Sequence, residues 1–302
     1  MALIQYTNDH TILQSSETES ILDCSLRNSL PHKHACGGKA RCSTCRVLVL
    51  EGLENCPPRN ELEEALAKAK GFLPNVRLAC QTIPTGEVHL RRLVIDDEDV
   101  ELAKEQGANG FGKEKEVAIL FSDIRGFTSF AESNLPYDVI HILNRYFKQI
   151  GEVILKNKGY IDKYIGDGIM AIFGLEDGEE ANEICFQAVQ SALLMLEELD
   201  KLNEYLELNF DVQFNIGIGI HFGEVIIGEI GHPLSKQVTA IGDNVNLASR
   251  IEQLTKATSV KVLLSKEVKE RVQDRIKIGK SFQAKIKGKT GLYHIFEALS
   301  LK

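Results

Sequence analysis

The sequence predicts an α+β protein built from two domains, and three observations lead there. Six of the seven cysteines fall within the first 80 residues, so the front of the chain carries a chemistry that the rest lacks. A polar, glycine-containing segment, "DDEDVELAKEQGANGFGKEK", runs from Asp96 to Lys115 and reads as a linker, partly helical over Glu98–Gln106. Beyond it, buried-strand patterns alternate with amphipathic helix. A chain of 302 residues has room for two domains of ordinary size. The predicted division is 1–97, a linker over 98–115, and 116–302.

In the first domain the β-prone runs are Ala2–Tyr6, Thr11–Leu13, Arg46–Leu50 and Glu87–Leu93. One helix is predicted over Glu61–Lys70, after Pro57-Pro58, with Asn60 as its N-cap. Between these elements lies "HACGGKARCSTC", His34 to Cys45. Together with Cys80 it gives the spacing C-x5-C-x2-C-x34-C through Cys36, Cys42, Cys45 and Cys80. A disulfide framework is disfavoured if the chain is cytosolic, because thiols stay reduced there. Zinc favours two separated CxxC pairs or cysteines mixed with histidines, and only Cys42 and Cys45 form such a pair. The spacing is one residue longer in its first gap than the plant-type 2Fe–2S pattern. Gly37 and Gly38 let the loop curl so that backbone N–H groups aim at negatively charged sulfur. Zinc and simple burial of the thiols remain the competing readings.

"CGGKARCSTCRVLVLEG" and "VRLACQT" resemble the vertebrate- and bacterial-type 2Fe–2S ferredoxins over about residues 1–95. That resemblance implies a β-grasp fold and a 2Fe–2S cluster held by Cys36, Cys42, Cys45 and Cys80. It also implies an electron-transfer partner of the ferredoxin-reductase kind. Cys24, Cys56 and Cys185 lie outside the pattern and are expected to be packing or free thiols.

In the second domain "VAILFSDIRGFTSF" places five apolar residues before Asp123, a buried strand with a carboxylate near its end. That aspartate alone would be read as a helix cap. In "GYIDKYIGDGIMAIFG", two apolar-patterned strands flank Gly166-Asp167-Gly168, which puts Asp167 at a hairpin tip. If the hairpin lies beside the first strand, Asp123 and Asp167 face each other. Two close carboxylates repel unless a cation sits between them, and hard oxygen ligands suit Mg²⁺ or Mn²⁺. Pro136–Lys156 is amphipathic through Val139, Ile140, Leu143, Tyr146, Phe147, Ile150 and Ile154. Phe214, Ile216, Ile218 and Ile220 alternate like a half-buried strand. His221, on the polar face of that strand, and His232, before Pro233, favour structural roles over catalysis.

"FSDIRGFT", "DKYIGDGIMAIFG", "IGIGIHFGEVIIGEIG" and "AIGDNVNLASRIE" resemble the successive motifs of class III adenylyl cyclases, from Val117 to Glu297. The resemblance implies a βαββαβ core working as a head-to-tail homodimer with composite active sites. It implies that Asp123, Asp167 and the Ile124 carbonyl hold two Mg²⁺ or Mn²⁺ ions. Backbone N–H groups from Arg125 to Thr128, including Phe127, would hold the triphosphate of ATP. Lys163 matches the position that donates to adenine N1, and Thr239 the position that reads the exocyclic amino group, where animal membrane cyclases carry aspartate. Asn246 and Arg250 match the residues that orient the ribose and neutralise charge at the α-phosphate. Lys287 matches a basic residue on the outer phosphates. The expected activity is adenylate cyclase, with the cluster as a redox control. A redox carrier without cyclase activity and a catalytically dead sensor are the alternatives; no flavin or nicotinamide fingerprint favours the first, and the intact motif set opposes the second.

A formal charge of -8 disfavours a nucleic-acid surface. The N-terminus lacks a signal peptide, and no apolar stretch approaches the about 20 residues that span a bilayer. A cytoplasmic location is expected.

Overall fold

A computed structural model describes residues 1–105, 112–232, 234–286 and 291–302. Their contacts divide into two compact units, Met1–Gly112 with Gly228–Gln237, and Lys113–Ile227 with Val238–Lys302. Residues 106–111 of the predicted linker, and Lys287, lie outside the described residues.

In the first unit β1 (Ala2–Tyr6), β2 (Thr11–Ser15), α1 (Ile21–Arg27), β3 (Arg46–Glu51), α2 (Glu61–Lys70), β4 (Val76–Leu78), β5 (Val88–Arg92) and α3 (Asp97–Glu105) follow in order. The strands make one sheet, ordered β2-β1-β5-β3-β4. The parallel pairing of β1 with β5 sits at its middle, with antiparallel partners on both sides. Asn60 caps α2 as expected, its side chain accepting from Glu63 N–H at 2.9 Å. Two elements escaped the sequence reading. One is α1, seven residues capped by Ser20; the other is the three-residue β4. Both are too short for a periodicity to declare itself.

One buried ion pair bears on the cysteines. Glu63 of α2 accepts from Arg77 Nε and Nη2 at 2.9 and 2.8 Å and from the Leu78 N–H at 2.7 Å. This ties α2 to the strand that leads into Cys80. With both charges paired and the guanidinium bidentate, burial is tolerated.

The second unit opens with β6 (Lys113–Ile124) and α4 (Phe127–Ser133), then α5 (Pro136–Lys156), β7 (Tyr160–Ile165), β8 (Gly168–Phe173) and α6 (Ala181–Phe210). It continues through β9 (Ile216–Ile230), β10 (Gln237–Ile241), α7 (Asp243–Thr258), β11 (Val262–Ser265), α8 (Lys266–Val272), β12 (Ile276–Ala284) and β13 (Tyr293–Leu301). The sheet order is β12-β13-β11-β9-β6-β8-β7, with β10 paired to β9 beside that path. One face is buried under α5 and α6 through Tyr146, Ile150, Ile154, Ala188 and Ala192. The other face packs Val117, Ile119, Met170 and Ile172 against Ala248 of α7.

Two expectations are corrected. β9 is not half-buried: Ile216 to Phe222 are buried without a break, because helices cover both faces of this central strand. Its second face carries Gly217, Gly219 and Gly223 beside the buried His221. A Cβ at Gly219 would lie 2.1 Å from Glu252 N, so α7 rests on bare backbone there. In α5, Ile140 is 59% exposed and Ile142 is buried in its place. The helix spans Pro136–Lys156 as predicted, but its apolar stripe is turned at its first turns.

Candidate active site and cluster loop

β6 ends at Ile124, and the β7–β8 hairpin turns at Gly166-Asp167 beside it. β6 and β8 pair antiparallel, Ser122 opposite Ile169, so the strand end and the hairpin tip come level. Asp167 Oδ2 accepts the Ile124 N–H at 3.1 Å. The Asp167 carboxyl comes close enough to Asp123 to feel its charge, and Asp123 lines a cleft of about 290 Å³ between the hairpin residues Ile165 and Gly168 and Ser249, Glu252, Gln253 and Lys256 of α7. Burial, and then the charge of Asp123, push the Asp167 carboxyl upward. Lys256 Nζ lies 3.4 Å and Arg125 Nη1 3.7 Å from Asp123 Oδ2. Cations are drawn to this end of the cleft. Among the described residues no three His, Cys, Asp or Glu side chains form a metal-holding group. Two carboxylates and a neighbouring backbone carbonyl, at Ile124, are a donor set that fits hard divalent ions.

Arg125 does more than its sequence position suggests. Its side chain crosses β9 at Gly217, where a Cβ would sit 1.5 Å from Nη2, and it reaches Glu252 at 2.8 Å and Thr255 of α7. The loop after β6 is thereby pinned to α7. The Arg125 backbone N–H donates to Asn215 O at 2.7 Å, which corrects its expected place among the triphosphate donors. The N–H groups of Gly126, Phe127 and Thr128, at the start of α4, remain for that role.

A second constellation gathers where β7 meets β10. Lys163 Nζ lies 3.2 Å from Asp162 Oδ2, and the Thr239 hydroxyl donates to the same oxygen at 2.8 Å. Sequence reasoning named Lys163 and Thr239 but missed Asp162. The alternation of β7 gives no sign of it, because its period-two neighbours Tyr160 and Tyr164 are exposed and a bulge at Asp162 breaks the pattern.

Asn246, on an exposed turn of α7, and Arg250, half-buried, form no hydrogen bond or ion pair with another side chain among the described residues. Neither lines the Asp123 cleft, although α7 itself does. The α7 residues that adjoin the cleft are Ser249, Glu252, Gln253 and Lys256. His221 is structural, as expected. Its ring is buried and bonds Ser265 Oγ at 2.9 Å and Asn244 Oδ1 at 3.0 Å, joining the starts of α8 and α7 to β9.

All seven cysteines are free, six of them in the first unit and Cys185 in the second. Gly37, Gly38 and Ala40 take φ values of +64°, +80° and +50°, the curl expected of a loop that turns its amides inward. The four pattern cysteines form two pairs. Burial works against the Cys36 thiolate, but the Arg41 N–H, the Cys42 thiol and further backbone amides outweigh it and lower its pKa. The Cys45 thiol donates to Cys80, which is lowered to about 6, while Cys45 is raised. Gln81 Nε2 also points at Cys80 Sγ, at 3.3 Å. Each pair thus joins one thiolate, stabilised by N–H donors, to one thiol that donates to it, and two pairs of cysteines suit a 2Fe–2S cluster whose two irons each take two cysteine ligands. Cys24, Cys56 and Cys185 are buried in apolar surroundings, and burial raises all three. Cys56 packs in the core of the first unit.

Residues 111–297, more than half of the chain, match the adenylate and guanylate cyclase catalytic domain. The chain belongs to this cyclase family. Residues 6–85 match the 2Fe–2S iron-sulfur cluster binding domain, so the cyclase domain follows a ferredoxin-type domain. The cyclase region is 37% identical over 199 residues to an adenylate cyclase of Anabaena cylindrica, covering 62% of this chain and 38% of that protein. It is 37% identical over 188 residues to the terminal-differentiation-specific adenylate cyclase of Dictyostelium discoideum, covering 61% of this chain and 9% of that one. The chain thus spans well under half the length of these relatives. Among solved structures, the adenylyl cyclase CyaB from P. aeruginosa superposes with a TM-score of 0.59 at 28% identity, over 63% of this chain and 96% of that one. The guanylyl cyclase Cya2 superposes equally, at 30% identity, over 63% of this chain and 95% of that one. The α+β architecture, a ferredoxin-type domain followed by a cyclase domain, is the one predicted. No helix among the described residues is long and apolar enough to cross a membrane.

Proposed function

We propose that the chain is an adenylate cyclase whose output is set by the redox state of a 2Fe–2S cluster. The observation that carries the catalytic part is the juxtaposition of the Asp123 and Asp167 carboxylates, with Asp167 held in place by the Ile124 N–H. The residues that would hold two Mg²⁺ or Mn²⁺ ions are Asp123, Asp167 and the Ile124 carbonyl. Bound there, such ions lower the pKa of a ribose hydroxyl and neutralise phosphate charge. The ribose 3′-oxygen of ATP attacks the α-phosphorus in line. The new 3′-O–P bond forms as the bond to the bridging oxygen breaks, pyrophosphate leaves, and the hydroxyl proton passes to water. Lys163 donates to adenine N1 and Thr239 accepts from the amino group. Gly126, Phe127 and Thr128 offer backbone N–H groups to the triphosphate, and Lys287 takes the outer phosphates.

Asn246 orients the ribose, and Arg250 stabilises charge at the α-phosphate. Because neither lines the cleft of its own chain, the reading makes the enzyme a homodimer with composite sites.

Cys36, Cys42, Cys45 and Cys80 would hold the cluster, which supplies one-electron redox chemistry when bound. An electron-transfer partner of the ferredoxin-reductase kind would then report cellular redox state. The test is cyclic AMP production from ATP by air-oxidised and dithionite-reduced protein. A difference between the two states supports the control; equal rates remove it and leave the catalytic reading standing.

A further inference from the structure

We infer that Asp162 is a specificity-determining residue of the cyclase, acting through Thr239 and Lys163. The inference rests on the proposed role of those two residues at the base.

β7 carries a bulge. Ile161 faces Ala171 and Lys163 faces Met170 on β8, leaving Asp162 without a place in the ladder. Bulges re-aim side chains, and this one turns a carboxylate inward. The Asp162 side chain is 0% exposed, whereas that of Lys163, next in sequence, is 35% exposed. Burying a carboxylate is costly unless it is paired. Here Oδ2 accepts the Thr239 hydroxyl at 2.8 Å and faces Lys163 Nζ at 3.2 Å.

The consequence is chemical. A threonine hydroxyl by itself can donate or accept, so it distinguishes an amino group from a carbonyl poorly. With its one proton committed to Asp162, Thr239 Oγ1 presents only lone pairs to a ligand. Adenine offers an amino donor there and is accepted. Guanine offers O6, a second acceptor, and is refused. Asp162 also takes one of the three Lys163 donors, which orients the ammonium and leaves its other N–H groups for the base. A hydroxyl is thus made to behave as a carboxylate would, without exposing charge.

The test measures kcat/KM for ATP and for GTP in the full-length protein, as wild type, Asp162→Asn, Thr239→Val and the double variant. Asn can donate to Thr239 as well as accept, which frees the hydroxyl proton. The ATP-over-GTP ratio should fall about tenfold or more in Asp162→Asn. In the double variant the fall should be smaller than the product of the two single effects, because one acts through the other. Should Asp162→Asn fold poorly, Asp162→Ser, whose hydroxyl also works in both directions, is read the same way. Equal loss toward both nucleotides with an unchanged ratio, or effects that simply multiply, overturns the inference and leaves the cyclase reading intact. A wild type that cyclises neither nucleotide overturns both.

Discussion

Asp167 Oδ2 accepts the backbone N–H of Ile124 at 3.1 Å, so the tip of the β7–β8 hairpin is fastened to the last residue of β6. That one bond keeps Asp167 next to Asp123 although the two carboxylates repel. Burial and the Asp123 charge hold the Asp167 carboxyl above its usual range. A carboxyl raised on folding binds its proton more tightly in the folded state, so wild-type stability falls as pH rises through the shifted pKa. Asp167→Asn keeps an acceptor for the Ile124 N–H and deletes the charge. In divalent-free buffer at pH 7 it should melt above wild type, and the gain should vanish as pH falls to the ordinary carboxylate range near 4. Mn²⁺ should raise the Tm of wild type but not of the variant; an equal rise in both would show that Asp167 is not a ligand.

The cluster loop gives a clean division among seven thiols. Cys36, Cys42, Cys45 and Cys80, each changed to Ser, should abolish the visible absorption and the two irons per chain of anaerobically prepared protein. Cys24, Cys56 and Cys185 are packed in apolar surroundings, so changing each to Ala should keep the iron and cost only about 1 kcal/mol of stability. Stoichiometric zinc in place of iron would contradict the assignment.

His32 makes the ferredoxin-type domain sensitive to acid. Its ring is buried, bonds Ser25 Oγ at 3.0 Å, and is pushed down to about 4, by burial first and Arg92 second. The unfolded chain takes up a proton near pH 6.5 that the folded chain refuses until about pH 4. Stability is therefore complete above pH 6.5 and lost as pH falls toward 4, by up to about 3 kcal/mol. His32→Gln should flatten that slope in denaturant titrations across this range, whatever it does to stability at pH 7.

Sequence and structure inform each other unevenly. Asp123 and Asp167 were legible because each sits at a strand end marked by an apolar run, and a tight turn marks the second. Asn60 was legible as a cap because a helical pattern starts right after it. Asp162 was not, because a bulge breaks the period-two pattern that would show which way it points. Nor was the Arg125–Glu252 contact, which joins residues 127 apart and depends on the missing side chain at Gly217. Ile140 and Ile142 exchanged places because an apolar helix face wider than its contact leaves rotation to tertiary packing.

Asp123→Ala and Arg250→Ala should each be nearly inactive alone, since a metal ligand or a charge-neutralising arginine supplies several kcal/mol at the transition state. Mixed under conditions that let subunits exchange, they should recover up to roughly a quarter of wild-type activity, because a heterodimer has one intact site. Tagged heterodimers that form yet stay inactive would contradict the composite site.

The most direct measurement of the central claim is product analysis. Purified protein is given equimolar ATP and GTP with Mn²⁺, and the nucleotides are separated and weighed by mass spectrometry. The account predicts cyclic AMP with pyrophosphate as the dominant products, both lost in Asp123→Ala. Cyclic GMP in excess, or no cyclic nucleotide from a protein with its iron in place, would contradict it.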